Sequence, residues 1–166
     1  MRNSWRTVKK PVRQSEIVDP NLKPEVEEAS ADSDKEETIT QALTSDVAPV
    51  KVITFTCTAD SSDGSYPATT VTAADVKGSL LQIVTDPSGD TAPQDNYDIT
   101  VTESGGADML LGVGANRDTA NTEVAIVESN GARSLVAETD TLTLNITNNN
   151  VNSAIISIKL YWSETV

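Results

Sequence analysis

Residues 141–162 read TLTLNITNNNVNSAIISIKLYW, and the alternation in this stretch decides the fold class. Leu142, Leu144 and Ile146 fall on one side of an extended chain. Ala154, Ile156, Ile158, Leu160 and Trp162 fall on one side of the run that follows. Successive side chains of a strand point to opposite faces, so a period of two marks strands with one face in a core. The intervening NNNVN (148–152) supplies turn chemistry, because Asn tolerates positive φ. The spacing predicts that the two runs pair as a hairpin.

The same texture extends back to Val50. Residues 50–58 (VKVITFTCT) set Ile53, Phe55 and Cys57 on one face, and residues 97–103 (YDITVTE) turn Tyr97, Ile99 and Val101 inward. Residues 79–85 (SLLQIVT) are more continuously apolar and predict a central strand, and 122–128 (TEVAIVE) is a further strand. Residues 107–112 (ADMLLG) are expected to close a hairpin on 97–103 across Gly105-Gly106. Turn signals at 61–64, 86–95, 104–106, 112–116 and 129–131 separate the runs, and no helical periodicity appears after residue 50. The expected fold is all-β, an antiparallel β-sandwich. Immunoglobulin-like and jelly-roll orders both fit it.

Residues 50–166 form the expected sandwich domain, and residues 1–49 an extended N-terminal arm. The arm opens basic, with Arg2, Arg6, Lys9, Lys10 and Arg13 around one aromatic residue, Trp5, and turns acidic from Glu16 to Glu37. Pro20 and Pro24 favour extended backbone there. Such a segment buries too little apolar surface to offset its ordering entropy, so it is expected to order only against partners. Fully extended it could span roughly 160 Å. Thr38–Leu43 reads as one helical turn or as linker. Arg2, Trp5, Arg6, Lys9, Lys10 and Arg13 are the candidate partner-binding residues. They form either a solvated tail or a docking element for acidic protein surface or nucleic acid.

Net charge is −13 over 166 residues. Residues 1–49 carry seven Lys/Arg against ten Asp/Glu, and residues 50–166 carry five against fifteen. A domain that acidic repels phosphate backbones and anionic lipid, which argues against nucleic acid or membrane as its partner. No run of apolar residues is long enough for a membrane span. The basic start lacks a following apolar region, so no secretory signal is expected, and the triplet Asn145-Ile146-Thr147 is not expected to be glycosylated. The single Cys57 has no internal disulfide partner, which fits synthesis in a reducing cytoplasm.

Catalytic chemistry is scarce. The chain has no histidine, which removes the usual general base and the commonest metal ligand. Cys57 sits in an apolar strand pattern without a local cation and reads as a buried thiol rather than a nucleophile. Gly105-Gly106 and Gly112–Gly114 lack the Lys-Ser/Thr of a phosphate loop and read as turns. Asp95 and Asp98, with Asp86 and Asp90 in the preceding loop, could run acid–base chemistry as paired carboxylates. Asp86, Asp90, Asp95 and the Asn96 carbonyl are also hard oxygen ligands that could hold calcium, or could simply be solvated turn residues, as could the DSSDG stretch at 60–64. Tyr161 and Trp162 are read as sheet-surface and core residues, with sugar stacking as the alternative. The expectation is a protein that is not an enzyme and needs no cofactor or metal.

Residues 78–121, GSLLQIVTDPSGDTAPQDNYDITVTESGGADMLLGVGANRDTAN, carry IVTDP, then TAP-x-DNYDIT three residues later, then GANR. Together with the ending TLTLNITNNNVNSA…LYW, this pattern resembles small structural proteins of tailed bacteriophages. The likeness covers most of residues 78–162 and leaves the arm uncovered. It implies a virion protein made in the host bacterial cytoplasm, a homo-oligomer whose partners are the major capsid protein or other virion proteins. Within the particle, a capsid decoration or cement role is expected. The alternatives are a neck or tail component, as head-to-tail connector or fibre anchor, and a module whose loops 86–96 and 112–121 bind host glycan. Arg117 is expected to pair with a carboxylate, either inside the domain or on a partner.

Overall fold

The computed structural model describes residues 37–47, 50–71, 76–137 and 140–164. These residues build nine strands: β1 (Thr38–Val47), β2 (Val50–Thr58), β3 (Thr69–Thr70), β4 (Gly78–Pro87), β5 (Asp98–Thr102), β6 (Glu123–Ile126), β7 (Leu135–Val136), β8 (Thr143–Thr147) and β9 (Ile155–Ser163). They form two antiparallel sheets. The larger runs β1-β2-β9-β4-β6, with β7 pairing further along the same edge of β4, and the smaller runs β3-β8-β5. The inward faces of both close on a single core, so the protein is an all-β antiparallel sandwich.

From β2 to β5 each strand lies in the sheet opposite to its predecessor, and so do β8 and β9. Immunoglobulin sandwiches keep consecutive pairs within one sheet, whereas wrapping a strand ribbon over two sheets gives the jelly-roll order seen here. The fourth position of the small sheet, beside β5, is taken by the irregular segment 108–117. Met109 N–H donates to the Val101 carbonyl at 2.7 Å, Ile99 N–H to Gly114 at 2.8 Å, and Arg117 N–H to Tyr97 at 2.8 Å. The expected return after Gly105-Gly106 therefore exists, but only as bridges at Thr102–Asp108 and Tyr97–Arg117. The glycines in the segment prevent a regular pleat.

Two expectations are corrected. The runs at 141–147 and 153–162 are strands, with the predicted faces buried, but they do not pair. β8 lies between β3 and β5, and β9 between β2 and β4. Turn residues between two amphipathic strands serve a sheet-to-sheet crossing as well as a hairpin, and here their apolar faces meet across the core. Thr38–Leu43 is neither helical turn nor linker, because it begins β1, paired with β2 from Thr38↔Thr58 to Val47↔Val50. Paired structure thus starts inside the segment expected to be arm. Ile39 packs on the core, and Gln41 donates through Nε2 to the Thr70 carbonyl at 3.0 Å, tying β1 to the small sheet.

β4 is central as expected, flanked by β9 on one side and by β6 and β7 on the other. Burial of Leu80, Ile83, Phe55, Ile158 and Trp162 at 1% exposure or less supplies the main driving force, at about 25 cal/mol per Å² of apolar surface removed from water.

Candidate functional site

The register places the ends of β2, β4 and β8 and the starts of β5, β6 and β9 at one end of the sandwich, through Thr58↔Ile155, Thr85↔Glu123 and Asp98↔Thr147. Four loops gather there, and polar side chains tie each to another. Asn149 donates through Nδ2 to the Gly64 carbonyl at 2.6 Å and accepts Gln94 N–H at 2.9 Å on Oδ1, joining the 60–65 turn to the 88–97 loop. Asp98 accepts Asn116 N–H at 2.8 Å on one oxygen and Asn148 Nδ2 on the other. Thr119 donates its hydroxyl to the Pro93 carbonyl, and Thr122 donates to Asp86. The loops 86–96 and 112–121 are thereby brought together.

Arg117 fastens this end. It is 8% exposed, and its Nε and Nη2 both reach Glu123 Oε2, at 2.9 and 2.8 Å, while Nη1 donates to the Val113 carbonyl at 3.1 Å. Asp118 N–H donates to the same Glu123 oxygen at 2.7 Å. Of the two partners open to Arg117 in the sequence, the structure selects one inside the domain. The pair joins segment 108–117, beside the small sheet, to β6 in the large one, on the side opposite the Gln41–Thr70 tie. Gly114 permits the approach: a Cβ there would lie 2.1 Å from the Ile99 carbonyl oxygen.

Beside this pair lies Tyr97, fully buried. Burial pushes its phenol up to about 12, against the opposing pull of the Thr85 hydroxyl and the Arg117 charge. The Tyr97 and Thr85 hydroxyls lie near each other, yet neither makes a well-aligned hydrogen bond; both count among the buried described polar atoms without a partner, with Trp162 Nε1.

The candidate calcium ligands are not gathered into a centre. Asp86 holds Thr122, Asp95 accepts from Asn96 Nδ2 at 3.3 Å, and Asp90 is exposed. Among the described residues no group of three or more His, Cys, Asp or Glu is placed to hold a metal ion. Residues 60–64 are a turn: the Ser62 hydroxyl and the N–H groups of Ser62 and Asp63 hold the Asp60 carboxyl below its ordinary value. Cys57 is buried, and desolvation pushes its thiol up to about 12, which keeps it protonated and out of reach as a nucleophile. Trp162 is a core residue at 0% exposure, so a sugar cannot stack on it, and Tyr161 is half-buried on the outer sheet face. Arg2, Trp5, Arg6, Lys9, Lys10 and Arg13 lie outside the described residues.

Sequence reasoning missed the outer edge of the large sheet. Val124, Ile126 and Leu135, on β6 and β7, are 61%, 49% and 65% exposed. The signal was present in TEVAIVE, which is apolar on both faces, as only a strand covered on both sides should be. Among the described residues no helix is long and apolar enough to cross a membrane. Comparison with protein-family models, curated proteins and solved structures found no match.

Proposed function

We propose that this protein is a structural component of a bacteriophage particle, a capsid decoration or cement protein anchored by its N-terminal arm to the major capsid protein or another virion protein. The observation that carries this reading is what the phage-like stretch does with its polar groups. Asp86 holds Thr122, the Pro93 carbonyl holds Thr119, Asp98 holds Asn116 and Asn148, and Arg117 holds Glu123. The resembling residues serve as scaffolding, locking loops to one another, rather than leaving groups free to meet a substrate. A rigid sandwich of this kind suits a part whose task is to be built in. The jelly-roll order also occurs in viral capsid domains, a likeness of fold that adds a modest weight. Several arms docking on one shell would gain avidity without any single strong contact.

The test is incorporation into particles. Phage assembled with the full chain should carry it in many copies over the shell, and a chain lacking residues 1–36 should stay folded but unincorporated. The cut must stop before Thr38, because a longer deletion removes β1. A truncated chain that still joins particles would sink the anchoring role, and a few copies at one vertex would reassign the protein to the neck or tail.

A further inference from the structure

β6 closes one side of the large sheet, and its outer edge is unpaired among the described residues. Val127 N–H donates to the Leu81 carbonyl at 2.9 Å, toward β4. By alternation along the strand, the N–H groups of Val124 and Ile126 and the Val124 carbonyl point away from the sheet. The Ile126 carbonyl is already taken by Glu128 N–H at 3.1 Å. An edge with free backbone groups and large exposed apolar side chains is a template for strand addition, and proteins ordinarily blunt such edges with Lys, Pro or a covering segment. β6 has no Lys and no Pro. Asp86 and Asp118 lie near its start, and Glu128 follows its end. The nearest cation in sequence after it, Arg133, is turned back onto the Leu81 carbonyl at 3.4 Å, and Lys159 belongs to β9, two strands in.

We propose that this edge receives the basic tip, residues 1–13, of a second copy of the chain as an added strand. The tip has five cations and no carboxylate, against a domain carrying five cations and fifteen carboxylates. Its stretch WRTVKK (5–10) contains Trp5, Thr7 and Val8, good strand formers, and no Pro before Pro11. A second copy is favoured over the chain's own tip by the segment between. From Glu16 to Glu37 nine carboxylates face two lysines, and like charge on this connecting segment and on the domain disfavours a tip folding back onto its own domain. The described chain begins at Glu37 beside β1, at the opposite side of the sheet, and 36 residues could span at most roughly 120 Å. The inference deepens the reading of the arm as a grip and does not depend on virion location.

The experiment uses full-length chain alone, so its failure is separate from failure to enter particles. Sedimentation velocity of the purified protein should show concentration-dependent association, weakened at least tenfold between low and high salt. Val124→Lys with Ile126→Lys, which blocks the edge, should give monomers, and so should Arg6→Glu with Lys9→Glu and Lys10→Glu, which reverses the tip without touching the domain. Mixing the two variants restores one intact edge and one intact tip, and should yield a one-to-one heterodimer. A monomeric wild-type chain, unchanged association in either variant, or a mixture that stays monomeric would overturn the proposal. If the edge variant fails to fold, judged by its circular dichroism, the tip variant alone decides.

Discussion

Arg117 meets Glu123 through two nitrogens on one carboxylate oxygen, and the backbone N–H of Asp118 completes that oxygen's bonding. One carboxylate thus holds both the guanidinium and the turn that follows it. Arg117 is buried while Glu123 keeps 29% of its side chain exposed, and removing Glu123 leaves the buried guanidinium charge uncompensated, which costs more than the pair contributes. Glu123→Gln should destabilise the domain by about 2 kcal/mol, between the values for exposed and fully buried pairs, lowering Tm by roughly 6 °C. Arg117→Lys should not rescue, since an ammonium cannot reproduce the fork to Glu123 and Val113. Thermal melts of each variant check both statements.

The Tyr97 and Thr85 hydroxyls are buried without well-made bonds, so removing them should cost nothing. Tyr97→Phe and Thr85→Val, separately or together, should leave stability unchanged or raise it by about 1 kcal/mol, since deleting an unsatisfied buried polar group relieves its desolvation penalty. Urea denaturation measures this, and a loss above about 1 kcal/mol would mean that the hydroxyls do bond.

Gly114→Ala should destabilise by several kcal/mol, because the new Cβ would collide with backbone, the Ile99 carbonyl oxygen at 2.1 Å, and segment 108–117 would have to leave β5. Gly89→Ala is the control, with nothing within 4 Å of its Cβ. Equal midpoints for the two variants in urea would refute the close approach.

Stability should fall at both ends of the pH scale. Hydrogen bonds to the carboxylate hold Asp60, Glu103 and Asp118 below their ordinary values. Their contribution is therefore present above the unfolded value near 4 and is lost as pH falls through the folded ones. Desolvation raises Cys57 from 9.0, and Tyr97 from 10.0, to about 12. The unfolded chain ionises first on that side, so stability is intact below pH 9 and is lost as pH rises toward 12. Tm followed by circular dichroism should be flat between about pH 5 and 8.5. Cys57→Val should move the alkaline onset up toward the tyrosine value, and an unmoved onset would contradict the thiol's part.

The faces of β2, β5, β8 and β9 were legible in the sequence, because each buries alternate residues against one core and period two is all that requires. Three features were not. β1 was missed since TITQALTSDV is held by its ladder to β2 and offers little apolar alternation. The partners of β8 and β9 could not be read, because two strands facing across a sandwich have the same pattern as two strands side by side. The ties from Asn149 to Gln94 and from Asn148 to Asp98 join residues 50 or more positions apart in sequence, and that from Asn116 to Asp98 spans 18, beyond any local signal. At Arg117 the residue was legible and its partner was not.

The strand order also dictates when the protein can form. β9 lies between β2 and β4, and pairing Thr58 with Ile155 closes a loop of about a hundred residues. At translation rates of about 5–20 residues per second, β2 waits at least roughly five seconds for the neighbour that completes it. During that interval Ile53 and Phe55 lack the strand that flanks them, while β1, already made, can pair only on the other side. A ribosome stalled before Ile155 would hold a chain lacking β9, the strand that joins β2 to β4, a substrate for chaperones or proteases rather than a smaller folded domain. Assembly of this sandwich is therefore set by the last strand to be synthesised.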